Sequence, residues 1–263
     1  MAAVESIGDA ARPQLALTFA RAPSGETFLR RQYAAFPFHI TQPFLDDGQA
    51  KLILQSLGAG LVQGDRFVLD IVVEEGARAH VVTQGSTVVH EMSDGDAWQV
   101  ARLEIMPGAQ LVYLPRPLIL FPGSRVVTRL EIVLHEGGSV MWCDSYLAHD
   151  RKNVGRTFDL LDAETRLLDT AGKNLAVDRF LIGGDTVGEV GVMQGNTVHA
   201  SLGWAGVGCD DAMAEQLRSA LAEPDDISGG ISSLPNESGL FGRIVARDGV
   251  ALQRAFDALT SVR

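Results

Sequence analysis

The chain has 263 residues, 46% of them hydrophobic and 21% charged, and a formal net charge of −11. That length holds one large or two small domains with a sizeable core, and the negative balance disfavours general binding to nucleic acid or to an anionic membrane surface. Glycine is in excess, with 28 residues, which points to many turns and so to many short strands.

Residues 1–13 read as a flexible tail, 14–209 as a β scaffold and 210–263 as a C-terminal α+β portion packed on it. LALTF (15–19), TFLRRQY (27–33) and AKLILQSL (50–57) read as strands. FPFHITQPF (36–44) holds two prolines and so reads as an edge or a connector. GAGLVQGDR (58–66) is a turn, and RFVLDIVVEE (66–75) alternates Phe67, Leu69, Ile71 and Val73 on one face.

The middle of the chain repeats one plan three times. LDIVVEEGARAHVVTQ (69–84), LEIMPGAQLVYLP (103–115) and LEIVLHEGGSVMWC (130–143) each begin Leu-acid-Ile and turn at a glycine. Each then leaves as a second apolar run. The glycines, Gly76, Gly108 and Gly137, are 32 and 29 positions apart. A short glycine turn between two alternating runs signals a hairpin, and a near-constant period signals units that bury a core only against one another. The predicted fold is mainly β, a layered β-helical or solenoid-like scaffold of stacked hairpins.

A degenerate fourth stretch (154–195) places two strands around Ala171–Gly172. Helices are predicted at 210–223, ending at Pro224, and at 249–262, with a hairpin around Pro235–Gly239 between them. Two cysteines, Cys143 and Cys209, stand 66 positions apart with no CxxC partner. That fits a reducing cytoplasm and argues against a disulfide framework or a structural zinc site. The N-terminus lacks the continuous apolar stretch of a secretory signal, and no apolar run approaches the ~18 residues of a membrane span. A cytoplasmic protein is expected.

Catalytic motifs are not found. Gly58-x-Gly60 with Gly64 resembles a dinucleotide fingerprint, but a strand-like segment follows it where a helix N-terminus is needed to hold pyrophosphate. Ala171-Gly172-Lys173-Asn174 lacks the Ser/Thr of a phosphate loop, and Gly85-Ser86-Thr87 is a turn rather than a nucleophile elbow. The best local metal-ligand arrangements are His90-Glu91 and Cys143-Asp144 with His149-Asp150. A mixed imidazole, thiolate and carboxylate set suits a borderline divalent ion. The plainer reading makes His90 and His149 solvated loop residues and Cys143 a small buried apolar group. Glu74-Glu75 and Asp225-Asp226 read as solvated turn charges. The residues by themselves leave open a scaffold, a metal-binding storage or sensor protein, and an enzyme using His90/Glu91 or Cys143/His149 as acid and base.

One ordered set of motifs carries more. LGAGLVQGDRFVLDIVVEEGARAHVVTQGSTVVHE (57–91) followed by LVYLPRPLILFPGSR (111–125) resembles the urease accessory protein UreD (UreH) family. The matching residues include Gly58, Gly60, Gly64, Asp65, Arg66, Thr83, Gln84, Leu114, Pro115 and Phe121. The resemblance implies a non-enzymatic, β-helical scaffold. It also implies binding to apo-urease, recruitment of UreF-like and UreG-like partners, and help in delivering Ni²⁺ to the urease active site through a water-filled passage. No tightly bound cofactor is implied, and GTP would sit on the partner GTPase. Helices 210–223 and 249–262 are candidate contacts for UreF. Arg116-Pro117 and Cys143 stand where the family has acidic residues, so a matching nickel path is less acidic here. His90, Glu91, Cys143, Asp144, His149 and Asp150 remain its candidate residues. A diverged scaffold or metal-binding protein with no role in urease activation is the alternative.

Overall fold

The computed structural model describes residues 12–193, 195–222 and 226–262. Most of the expected tail, Pro224 and Asp225 lie outside the described residues. The chain opens with β1 (Leu15–Arg21), β2 (Thr27–Ala34), β3 (Phe38–Ile40), β4 (Phe44–Asp46), β5 (Gln49–Ser56) and β6 (Arg66–Val73). It continues through β7 (Arg78–Thr83), β8 (Thr87–Val89), β9 (Ala97–Ile105), β10 (Gln110–Leu114), β11 (Leu118–Leu120) and β12 (Arg125–Leu134). Then come β13 (Ser139–Ala148), β14 (Leu160–Leu168), β15 (Asn174–Gly183) and β16 (Val198–Gly206). The last elements are α1 (Asp211–Ala222), β17 (Ile227–Ser233), β18 (Gly239–Ala246) and α2 (Gly249–Ser261).

The strands form two facing sheets. The first runs β15-β14-β12-β9-β6-β1-β2, and the second runs β17-β18-β16-β13-β10-β7-β5-β3, with β4 on β5 and β8 and β11 alongside β13. The solenoid-like β architecture expected from the repeats is present, but its unit is an arch rather than a hairpin. β6 and β7 do not pair with each other: β6 pairs in parallel with β1 and β9, and β7 with β5 and β10. The same holds for β9/β10 and for β12/β13. The turn glycines Gly76, Gly108 and Gly137 all have φ between 64° and 73°. A left-handed glycine closes an arch as readily as a hairpin, so the turn residue does not distinguish them. Burial does. Leu69, Ile71 and Val73 must face Ala79 and Val81 across a core, which places the two runs of one unit in opposite sheets. Their backbone groups then pair with the equivalent strands of the next unit. Stacked turns continue this ladder, as in Gln110 N donating to Ala77 O (2.9 Å) and Ser139 N to Ala109 O (2.9 Å).

β14 and β15 do form an antiparallel hairpin, as do β17 and β18. The Phe36–Phe44 segment supplies an edge, with β3 at the margin of its sheet. Both C-terminal helices form where expected. α2 is capped by Asp248, whose side chain accepts from Val250 N and Ala251 N. Asp210 accepts from Met213 N at the start of α1. Strand β16 is an element the periodicity does not reveal. Its residues from Val198 to Ala205 are all buried, because one face meets the opposite sheet and the other meets the helices.

Two apolar clusters fill the space between the sheets. One contains Phe19, Leu52, Ile71, Leu103, Ile132 and Trp142. The other contains Leu61, Val89, Leu120, Val126, Tyr146, Leu161 and Ile182. A third cluster joins α1 and α2 to the outer face of β16 and β18. Polar side chains lie between the first two clusters, and they define the candidate site.

Candidate functional site

The second sheet is interrupted at one level. β7 stops at Thr83 and β8 starts at Thr87, while β10 stops at Leu114 and β11 starts at Leu118. β13 runs unbroken past both, pairing first with β10 and then with β11. The cause is local: Gln84-Gly85-Ser86 loops out, and Pro115 and Pro117 bring no N–H to a ladder. The gap is a window into the space between the sheets. A cavity of about 40 Å³ sits in it, lined by Ser56, Thr83, Thr87, Gln99, Tyr113 and Arg116 among others. That volume accommodates water-sized ligands. The Arg116 backbone N–H donates to Thr83 Oγ1 (2.8 Å), and its guanidinium donates to Gln253 of α2, tying the rim to the last helix.

A polar layer lies between the two inter-sheet clusters. Along β13, alternation sends Val140, Trp142, Asp144 and Tyr146 inward and Met141, Cys143, Ser145 and Leu147 outward. The clusters agree, with Trp142 and Tyr146 in the inter-sheet clusters and Cys143 under the helices. Thr128 of β12 meets Tyr146 from the other sheet at 2.8 Å. Ser201 of β16 stands opposite Asp144, and Arg243 of β18 stands opposite Ser201. Arg243 pairs with Asp178 of β15, to which Ser201 Oγ also points at 3.5 Å. His199 is 3% exposed and stacks on Phe180 with ring centroids 4.0 Å apart. A second void of about 10 Å³ touches Tyr146, Phe180 and His199.

Electrostatics set Asp144 apart in this layer. Asp178 is neutralised by Arg243, whereas no basic side chain forms an ion pair with Asp144 among the described residues. Burial pushes the Asp144 carboxyl up to about 6, against the hydrogen bonds from Tyr146 and Thr128 that favour its charged form. Tyr113 and Tyr146 are also pushed up, first by burial and then by the negative charge of Asp144. His199 is pushed down to about 3 by burial and by the nearby Arg243 charge, so its imidazole is neutral.

The six metal candidates named from sequence do not assemble. Only Asp144 faces the interior. Cys143, its neighbour, points to the helices, and burial raises its thiol well above the usual range. His90 and His149 flank Phe121, with centroids 5.8 and 5.9 Å from it. Glu91 is held by Arg156 at 2.6 Å, and that bond depresses its carboxyl. Asp150 organises its own loop, accepting from the backbone N–H groups of Lys152, Val154 and Arg156. Among the described residues no three His, Cys, Asp or Glu converge to hold a metal ion. Thr128, Tyr146, Asp178, His199, Ser201 and Arg243 escape sequence reasoning. Strand alternation next to Asp144 was the available signal for Tyr146, and nothing local marks the others.

The motif residues do structural work around this space. Gly60 has φ 125°, and a Cβ there would meet Val88 O at 2.2 Å. Asp65 accepts from Val62 N at 2.8 Å, and Gly64 N donates to Asp96 O at 3.0 Å. Arg66 bonds Asp96 and lies over the Trp98 ring at 5.4 Å. Gln84 accepts from Gln55 Nε2 at 2.8 Å. Thr83, Leu114 and Pro115 frame the window, and Phe121 N donates to Val89 O at 3.1 Å. The helices spend their apolar faces on the sheet: α1 buries Leu217 and Leu221, and α2 buries Leu252, Phe256 and Leu259. Only their solvent faces remain for a partner. No helix of the described residues is long and apolar enough to cross a membrane.

Comparison with known proteins gives one consistent answer. A family model described as UreD urease accessory protein matches residues 11–263. Urease accessory protein UreD 1 of Methylorubrum extorquens is 37% identical over 94% of this chain and 86% of the relative. The protein of the same name from Methylorubrum populi is 36% identical over 94% of this chain and 86% of the relative. That of Pseudomonas syringae pv. syringae is 33% identical, covering 91% and 86%.

Proposed function

This chain belongs to the UreD family of urease accessory proteins, and from that premise we propose that it is a non-catalytic scaffold of urease maturation. It binds apo-urease together with UreF-like and UreG-like partners and assists delivery of Ni²⁺ to the urease active site. The nickel is cargo, and GTP belongs to the partner GTPase.

The observation that carries this reading is the polar layer between the sheets, with Asp144 as a buried interior carboxylate that forms no ion pair with a basic side chain among the described residues. A route for a divalent cation needs oxygen donors in place of lost hydration and enough negative charge to offset desolvation. The Thr128 and Tyr146 hydroxyls and the Asp144 carboxylate supply both. Binding must also stay weak enough for release. An open set of one carboxylate flanked by hydroxyls, with Asp178 engaged by Arg243, meets that condition better than a closed ligand set. Arg116 at the rim is tied to Gln253, which draws its charge toward α2.

Deletion of the gene in a urease-positive host tests the reading. Urease should then be nickel-poor at limiting nickel, and co-expression with the urease subunits should yield a stable complex. Fully active urease in the deletion strain would overturn it.

A further inference from the structure

The two sheets do not end together. The first holds seven strands side by side, whereas the main path of the second holds eight, from β17 to β3. At one margin they close on each other, with Leu29 of β2 and Phe38 of β3 packed against the same cluster. At the other margin β15 lies over β16 and β18: Phe180 stacks on His199 with centroids 4.0 Å apart, and Asp178 pairs with Arg243. β17 is the next strand out, and the first sheet has no strand left to cover it. Its Ile231 is buried in the cluster under the helices. The face turned the other way, with Ser228, Gly230 and Ser232, is exposed.

The uncovered place also borders an open hydrogen-bonding edge, because β15 is the last strand of its sheet. Gly184 N donates toward β14, to Asp159 O (3.2 Å). The Leu175 carbonyl turns the other way and accepts from Asn236 Nδ2 (2.7 Å). Strand alternation then sends the N–H and C=O groups of Val177, Arg179 and Leu181 to the open edge. Sheet edges are normally blunted by charge, proline or interruption. β2 carries Arg30 and Arg31 side by side, and the edge along β5 is broken into β3 and β4 between Pro37 and Pro43. β15 has no proline, and its charges are spent: Arg179 is held by Asp162 and Asp178 by Arg243. Its outer face shows Val177 (52% exposed) and Leu181 (60%).

We propose that this margin is a docking site for one extended segment of a partner protein, added to β15 as an eighth strand over β17. Facing sheets stand about 10 Å apart, with the gap filled by side chains from both. Ser228, Gly230 and Ser232 fill almost none of it, so the segment brings bulky apolar residues at alternate positions. Main-chain bonds to β15 supply affinity, and the room over β17 supplies selectivity. That room decides against a second copy. β15 of a copy already has β18 beneath it, and β17 of a copy sets glycine and serine against glycine and serine.

The probe is a fluorescein-labelled peptide of alternating Phe and Thr with Lys at both ends, titrated into the purified full-length chain by fluorescence anisotropy. Saturable binding is expected, with slowed amide exchange at Val177, Arg179 and Leu181. L181P removes an outward N–H and leaves the ladder to β14 intact. G230F fills the place over β17, where an added carbon meets nothing within 4 Å. Each should weaken binding at least about tenfold, as should replacing every Phe of the peptide with Thr. If L181P does not fold, G230F carries the comparison. Absence of saturable binding, or equal binding by G230F and the unsubstituted chain, would overturn the proposal. So would a dimer of the unsubstituted chain in analytical ultracentrifugation that G230F abolishes, since a second copy is then the occupant.

Discussion

Thr128 Oγ1 and Tyr146 Oη stand 2.8 Å apart, one residue on each sheet, so a hydrogen bond crosses the interior between the two apolar clusters. Both hydroxyls also bear on Asp144. The contact ties the sheets together at the level where polar groups replace packing. Tyr146→Phe leaves Thr128 and Asp144 short of a donor in a buried setting, and should destabilise the chain by about 2 kcal/mol. The midpoint of urea unfolding measures it, and an unchanged midpoint would show that water fills the place without loss.

Asp144 gives the chain a pH dependence opposite to that of a salt-bridged carboxylate. The folded chain holds this proton up to about pH 6, while the unfolded chain releases it near its ordinary value of about 4. Between those limits the unfolded state binds fewer protons, so stability falls as pH rises, by up to about 3 kcal/mol, and is level above pH 6. D144N should lack this component. The difference between the two unfolding curves across pH 4 to 7 isolates it.

His199 acts at the acid end with the reverse slope. Its folded value of about 3 lies below the ordinary 6.5, so the unfolded chain gains a proton first as pH falls. Stability therefore drops from about pH 6.5 toward pH 3. H199F preserves the stack on Phe180 and should flatten that limb in acid titrations followed by circular dichroism.

Nickel transfer should follow Asp144 and not the loop histidines. Urease matured with D144N at limiting nickel should contain several-fold less nickel than with the unsubstituted chain, and H90A/H149A should match the latter. The reverse pattern would place the route at the Phe121 loop end.

Gly203 is a question of space. A Cβ there would lie 2.0 Å from the Trp142 ring, which is rigid and buried. G203A should cost about 3 kcal/mol through overpacking. G230A, on a strand with nothing within 4 Å of the added carbon, should stay within about 0.5 kcal/mol. Thermal unfolding of the two variants compares them directly.

The repeats made the scaffold legible because glycine turns and alternating apolar runs are local signals. Arch and hairpin share those signals, and only the pairing of strands about 30 residues apart separates them. β16 was hidden because VHASLGWAG is covered on both faces and so carries no alternation. The polar layer was legible in one residue of its seven, Asp144, for a related reason. Asp144 stood out beside Cys143, but Asp178 and Arg243 are 65 positions apart and meet only because β15 and β18 lie in facing sheets. The histidines that looked suggestive, His90 and His149, turn out to be separated by the Phe121 ring.

Both parallel ladders end in reversed strands: β2 and β15 in one sheet, β3 and β16 in the other. Each arch adds one rung to both sheets, about 4.8 Å. The breadth of the scaffold is therefore a whole number of rungs, terminated by strands whose direction offers the next arch no matching ladder. Such an object is a ruler. Whatever it carries at its two margins is held at a separation that changes by one rung at a time and never by a fraction of one.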